Sequence, residues 1–185
     1  MDIQKTGLPG AYVLTPRRFG DDRGFFVETW NRNRMIEAGL EYDFVQDNCS
    51  LSTEAGTLRG LHYQAPPHAQ SKLVSCQKGA ILDAIVDARR GSPTYGHHFA
   101  VELSFENGKQ LLVPKGFLHG FLTLAADTIV TYKVDDHYSA DSDGSVLWSS
   151  CGINWGIDHP PILSEKDGAA MSFDQFDSPF EWTEA

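Results

Sequence analysis

Short runs rich in Val, Ile, Leu, Thr and aromatic residues recur along the chain at roughly ten-residue spacing, each closed by turn-forming residues. The expected strands are residues 12–15, 24–30, 44–52, 57–64 and 72–77, then 80–87, 97–103, 110–113, 119–124 and 128–134. Clusters such as Ala65-Pro66-Pro67, Arg90-Gly91-Ser92-Pro93 and Glu106-Asn107-Gly108 separate them. One short helix is expected at residues 31–38, stopped by Gly39. Many short strands with few helical periods predict an all-β antiparallel barrel or jelly roll. No repeat, low-complexity tract or linker interrupts residues 1–185, so a single domain is expected. Beyond Ser139 the alternation weakens into a Gly/Ser/Asp-rich stretch, expected to wrap the barrel and end in a helical turn near Ser164. Trp148, Trp155 and Trp182 read as packing residues.

Within this pattern, Thr57-Leu58-Arg59-Gly60-Leu61-His62-Tyr63-Gln64 sets a guanidinium and an imidazole in an otherwise apolar strand. Strict alternation puts Leu58, Gly60, His62 and Gln64 on one face and Arg59, Leu61 and Tyr63 on the other. Gly60 permits a bulge that could aim Arg59 and His62 at one ligand. Taken alone, His62 reads equally well as a hydrogen-bonded core histidine.

Composition narrows the chemistry. Residues 1–134 carry 14 acidic and 14 basic side chains; residues 135–185 carry 11 acidic ones and a single base, Lys166. The net charge of −10 therefore belongs to the tail. Nucleic-acid binding needs a basic surface, and this chain is not expected to bind one. An anionic small molecule needs only a few converging cations, for which Arg17, Arg23, Arg59 and Lys72 are candidates. Residues 1–10 do not have the pattern of a signal peptide, and no apolar run is long enough to cross a bilayer. Three widely spaced cysteines without a CxxC predict free thiols and a cytoplasmic protein.

Val113-Pro114-Lys115-Gly116-Phe117-Leu118-His119-Gly120 carries the Pro-x-Gly-x-x-His spacing of the second half of a cupin signature. Where metal-binding cupins have His-x-His, this chain reads His62-Tyr63-Gln64. His62, His119 and His68 alone do not make up the three or four ligands a first-row metal needs, so no metal is expected. His97 and His98 are expected to face solvent. Imidazole, with an ordinary pKa of ~6.5, is a side chain suited to general-base work, so a retained histidine fits that role given an acceptor to orient it and a partner acid.

Eight runs in order resemble the dTDP-4-dehydrorhamnose 3,5-epimerase family. They are Asp22–Glu28, Gln46–Ser50, Leu58–Gln64, Pro66-Pro67 with Gln70–Val74, Arg90–Gly96, Pro114–Phe121, Tyr132-Lys133 with Tyr138, and Leu163–Asp167. The resemblance implies a cupin-type barrel, a homodimer formed by strand exchange, no metal or other cofactor, and a dTDP-linked 4-keto-6-deoxyhexose as substrate. It makes His62 the base, Asp167 its orienting carboxylate, Tyr132 the acid on the opposite face of the sugar, and Lys72 the cation at the keto oxygen. Arg59 and His119 would line the sugar and phosphate side, with His119 helping Lys72 to hold the enolate. Gln46, Asn48 and Tyr138 would meet the nucleotide; Arg23, Phe26, Glu28 and Lys166 complete the substrate-binding set. From the residues alone, Asp167 reads as the fourth position of a Ser164-x-x-Asp167 helix cap, Tyr132 as a packed strand aromatic and Lys72 as a surface lysine. The rival expectations are a 3-only or 5-only epimerase, a metal-dependent cupin and a non-catalytic nucleotide-sugar binding module.

Overall fold

Residues 1–183 are described by a computed structural model of the chain. The early strands are β1 Asp2–Lys5, β2 Tyr12–Thr15, β3 Arg18–Asp21, β4 Gly24–Val27, β5 Gln46–Ser52, β6 Leu58–Gln64 and β7 Lys72–Lys78. They are followed by β8 Ala80–Asp87, β9 His98–Ser104, β10 Gln110–Val113, β11 Phe117–Thr123, β12 Thr128–Val134 and β13 Asp143–Ser145. Two short helices, α1 Arg32–Glu37 and α2 Glu165–Gly168, and a 3₁₀ turn at Phe173–Gln175 complete the set. A six-stranded sheet in the order β1-β2-β10-β7-β12-β5 faces a five-stranded sheet in the order β13-β6-β11-β8-β9. Every pairing between named strands is antiparallel. No helix among the described residues is long and apolar enough to cross a membrane.

Alternation along the strands sorts side chains into three apolar layers. Between the sheets, Val74, Cys76, Ile81, Ile85, Phe117, Phe121 and Val130 form the inner core. The outer face of the five-stranded sheet buries Leu58, Leu61, Val86, Leu118 and Leu122 beneath the C-terminal wrap, through Trp155, Phe176 and Phe180. The outer face of the six-stranded sheet packs Leu14, Leu73 and Leu112 against Met35 of α1 and Leu40. Asn31 caps α1, its side chain accepting from the backbone N–H groups of Asn33 at 3.0 Å and Arg34 at 3.3 Å. The wrap is tied back by the backbone: Arg90 N–H donates to Phe180 and Trp182 N–H donates to Arg90.

Strands β2, β8, β10 and β12 have the bounds expected from the sequence, whereas β1, β3 and β13 were not foreseen. These three are short and mostly polar, and two of them are sheet edges whose outer side never faces the core. The strand expected over residues 24–30 ends at Val27 and belongs to β3–β4, a separate hairpin that leaves Phe19 and Phe26 largely exposed.

The feature that positions the site is a bulge in β6. His119 of β11 pairs with His62 and Phe121 pairs with Arg59, so two steps on β11 oppose three on β6. The extra residue reverses the strand's parity. Leu58 and Leu61 both enter the outer core, while Arg59 and His62 both face inward. Gly60 is the pivot, with φ +128. A Cβ there would lie 2.6 Å from Gly120 Cα and 2.8 Å from His119 O, both backbone atoms. Gly60→Ala is therefore expected to cost about 2 kcal/mol or more in denaturant unfolding. An unchanged midpoint would show that β6 tolerates a side chain at this crossing.

Candidate active site

A cleft of about 510 Å³ opens between the sheets at one end of the barrel. The six-stranded sheet contributes Gln46 and Asn48 from β5, Lys72 from the start of β7 and Tyr132 from β12. Opposite, β6 contributes Arg59, His62 and Gln64. Tyr138, Asp143 and the segment from Ile162 to Asp167 form the rim.

His62 is held by a buried carboxylate. Its Nε2 lies 2.6 Å from Oδ1 of Asp167, whose residue exposure is 2%. With Nε2–H committed to Asp167, Nδ1 is left as the basic nitrogen, and it has no protein partner among the described residues. Burial pushes the Asp167 carboxyl up, but the bonds from His62, Ser164 and the Gly60 N–H hold it below the usual carboxylate range. The cap reading of Asp167 is also met: its backbone N–H donates to Ser164 Oγ at 3.1 Å, starting α2. One residue thus starts a helix with its backbone and orients the His62 imidazole with its side chain.

Tyr132 sits across the cleft, opposite Asn48 on β5 and Val74 on β7. Burial raises its phenol above the ordinary value, with Arg59 pulling it down and Asp143 pushing it up, so it stays protonated at neutral pH. Lys72 Nζ stands 5.9 Å from the centroid of the Tyr132 ring. It is no surface lysine: burial lowers its pKa to about 8, against the opposing pull of Asp83 and Asp143. Arg59 donates to Ser52 Oγ at 3.2 Å and Leu51 O at 3.1 Å, which fixes one edge of its guanidinium.

At the rim, Asp143 accepts from Lys166 Nζ and, at 3.3 Å, from Tyr138 Oη. Gln46 accepts from the Tyr138 backbone N–H at 3.2 Å and donates to Asn48 at 2.9 Å. Gln64 donates to the carbonyls of His68 and His137 and accepts from Ser139 N–H, tying two loops together. Among the described residues, no three His, Cys, Asp or Glu side chains come together as a metal-binding group. His97 and His98 are exposed.

Four of the expected site residues lie elsewhere. His119 does not line the cleft. It is buried between the sheets with Nε2 2.7 Å from Asp83 Oδ1 on the neighbouring strand β8. Burial holds its pKa below the ordinary value, with Asp83 opposing and Lys72 and His62 reinforcing. Arg23, Phe26 and Glu28 are on or beside the β3–β4 hairpin and outside this cleft. Arg23 pairs with Asp21 at 2.5 Å with its side chain 90% exposed, and Glu28 pairs with Arg34 at 3.0 Å. Conversely, Asp83, Gln64 and Asp143 belong to the site or its support and were not singled out from the sequence. For Asp83 the available signal was an aspartate at the inward position between Ile81 and Ile85.

An antiparallel two-sheet barrel whose open end sets a carboxylate-held histidine against a tyrosine defines a cupin-type fold with a cleft whose side chains are of the types that acid–base chemistry uses. The family model described as dTDP-4-dehydrorhamnose 3,5-epimerase matches residues 5–175. A curated relative of that name from Sinorhizobium fredii is 46% identical over 188 residues, spanning 98% of this chain and 94% of the relative. A crystal structure of dTDP-6-deoxy-D-glucose-3,5-epimerase RmlC from Legionella pneumophila, in complex with dTDP-4-keto-L-rhamnose, superposes with a TM-score of 0.94. It is 39% identical and covers 100% of this chain and 99% of its own. The structure of ChmJ, a 3'-monoepimerase from Streptomyces bikiniensis, matches with a TM-score of 0.86 at 31% identity, over 91% of this chain and 86% of its own. The chain belongs to the dTDP-4-dehydrorhamnose 3,5-epimerase family.

Proposed function

We propose that the enzyme inverts C3 and C5 of a dTDP-linked 4-keto-6-deoxyhexose, with His62 removing each proton and Tyr132 returning one from the other face. The observation that carries this reading is the placement of His62–Asp167 and Tyr132 on opposite walls of one cleft. Inversion requires a base and an acid on opposite faces of a carbon. The C4 keto group acidifies the hydrogens on both neighbouring carbons, so the substrate supplies its own electron sink and no cofactor is needed. Charge that develops on the keto oxygen is met by the Lys72 ammonium, poised inside the cleft.

The cations Arg59 and Lys166 suit the diphosphate, Tyr138 offers an exposed ring to the thymine, and Gln46 and Asn48 offer hydrogen bonds to the nucleotide. Arg23, Phe26 and Glu28 serve a neighbouring subunit: the β3–β4 hairpin reaches into a partner's cleft in a homodimer. Its strands pair only with each other, and this together with the exposed Phe26 supports the exchange. Three free thiols, one of them exposed, suit the cytoplasm.

The similarity to a 3'-monoepimerase makes inversion at a single carbon the second reading. Incubation with dTDP-4-keto-6-deoxyglucose in D₂O, followed by NMR, separates the two. Deuterium is expected at both C3 and C5, and His62→Asn should slow its entry by about 10²–10⁴-fold with little change in binding. Label at one carbon only would establish the monoepimerase; wild-type exchange in His62→Asn would remove His62 from the role. The shared site is tested by mixing inactive Arg23→Ala and His62→Asn subunits, which should regain activity as heterodimers. Heterodimers that form but stay inactive would contradict strand exchange.

A further inference from the structure

The ring offered to the thymine stands on a segment with no helix or strand of its own. Tyr138 lies between β12 and β13, and 61% of it is exposed. Such connections are ordinarily mobile, and a mobile ring makes a poor platform, since ordering it on binding costs affinity. The backbone of this segment, however, is bonded to glutamines from both sides of the cleft. Gln46 of β5 accepts from the Tyr138 N–H at 3.2 Å, and Gln70, just before β7, donates to the Asp136 carbonyl at 2.8 Å.

The hold from the opposite sheet comes from a single side chain. Gln64, at the end of β6, donates from Nε2 to the His137 carbonyl at 3.0 Å. Its Oε1 accepts from the Ser139 N–H at 2.9 Å. One amide therefore grips the residues on either side of Tyr138. The second hydrogen on Nε2 goes to the His68 carbonyl, beyond the end of β6. These partners also fix which way the amide faces, because turned over its oxygen would meet two carbonyls. Gln64 is 6% exposed, with both amide hydrogens and one lone pair used within the chain. Although it lines the cleft, it has little left to offer a ligand directly.

We propose that Gln64 is a positioning residue for the nucleotide: by bonding both neighbours of Tyr138, it holds that ring ready at the rim before the thymine arrives. The inference rests on the thymine contact given to Tyr138 above. It gives β6 two duties at positions on one strand, His62 serving the proton and Gln64 the nucleotide.

The test is a double-mutant cycle on dTDP affinity, measured by titration calorimetry with Gln64→Met, Tyr138→Ala and the double variant. Gln64→Met keeps the length of the side chain without its hydrogen bonds; Gln64→Leu is read in the same way if it does not fold. Gln64→Met should raise the dTDP Kd about tenfold through lost preorganisation, and raise the ketosugar KM more than it lowers kcat. In the Tyr138→Ala background the same change should raise Kd less than about twofold, because the ring it positions is gone. An equal loss in both backgrounds overturns the proposal, since a merely structural glutamine, or one touching the nucleotide itself, acts with or without the ring. Unchanged affinity in Gln64→Met beside weakened binding in Tyr138→Ala also overturns it, and leaves the thymine contact in place. Wild-type affinity in Tyr138→Ala instead removes the thymine contact, and the proposal with it.

Discussion

The site depends on one extra residue in one strand. A regular β6 would send Arg59 and His62 to opposite faces, so that one of them would have to share the outer core with Leu58 or Leu61. The bulge at Gly60 avoids this by turning the parity of the strand between Arg59 and Leu61. It requires two backbones to pass where Gly60 meets Gly120, closer than any Cβ would allow. The same turn brings the Gly60 N–H within 3.4 Å of Asp167 Oδ2, so the residue that makes the bulge also helps seat the carboxylate that orients His62. Fold and chemistry meet at a single glycine.

Around this pivot the cleft solves an electrostatic problem. It must hold cations for an anionic substrate in a half-buried space, within a chain whose net charge is −10. Burial lowers the pKa of Lys72 to about 8 and presses charged groups generally toward neutrality. Carboxylates placed singly counter this: Asp167 at His62 and Asp143 at Lys166 form bonded pairs. The surplus acidity of the tail lies mainly elsewhere. Some of it answers Arg90, which pairs with Asp177 and Glu181 where the wrap closes on the barrel. Such exposed pairs add little stability on their own, and the wrap is held chiefly by Trp155, Phe176 and Phe180.

Much of this was legible in the chain. Strands with one face in the core show it in their alternation, so residues 80–87 and 128–134 could be bounded to the residue. Polar edge strands such as β1 and β13 carry no such signal and become strands only because a neighbour offers hydrogen bonds. Ordered motifs pointed to His62, Lys72, Tyr132 and Asp167, which the fold does bring to one cleft. Depth was harder to read. Nothing in the spacing of Pro114-x-Gly116-x-x-His119 separates a histidine that lines a pocket from one beneath its floor, because both lie on the inward face of a strand. Asp83 was hidden for a related reason: a lone aspartate in an apolar run does not show its partner His119 on β11. Arg23, Phe26 and Glu28 do not line the cleft within one chain, since the β3–β4 hairpin pairs only with itself and packs by Arg18 and Phe25 against Phe105.

The central claim is that removal and return of the proton are assigned to opposite walls. It is tested most directly by the stereochemistry of exchange in Tyr132→Phe. Incubated with the ketosugar in D₂O, this variant should still wash deuterium into the substrate through His62 while retaining its original configuration, because the acid on the far wall is gone. Inversion at the wild-type rate would contradict the account, as the returning proton would then have come from a group other than Tyr132.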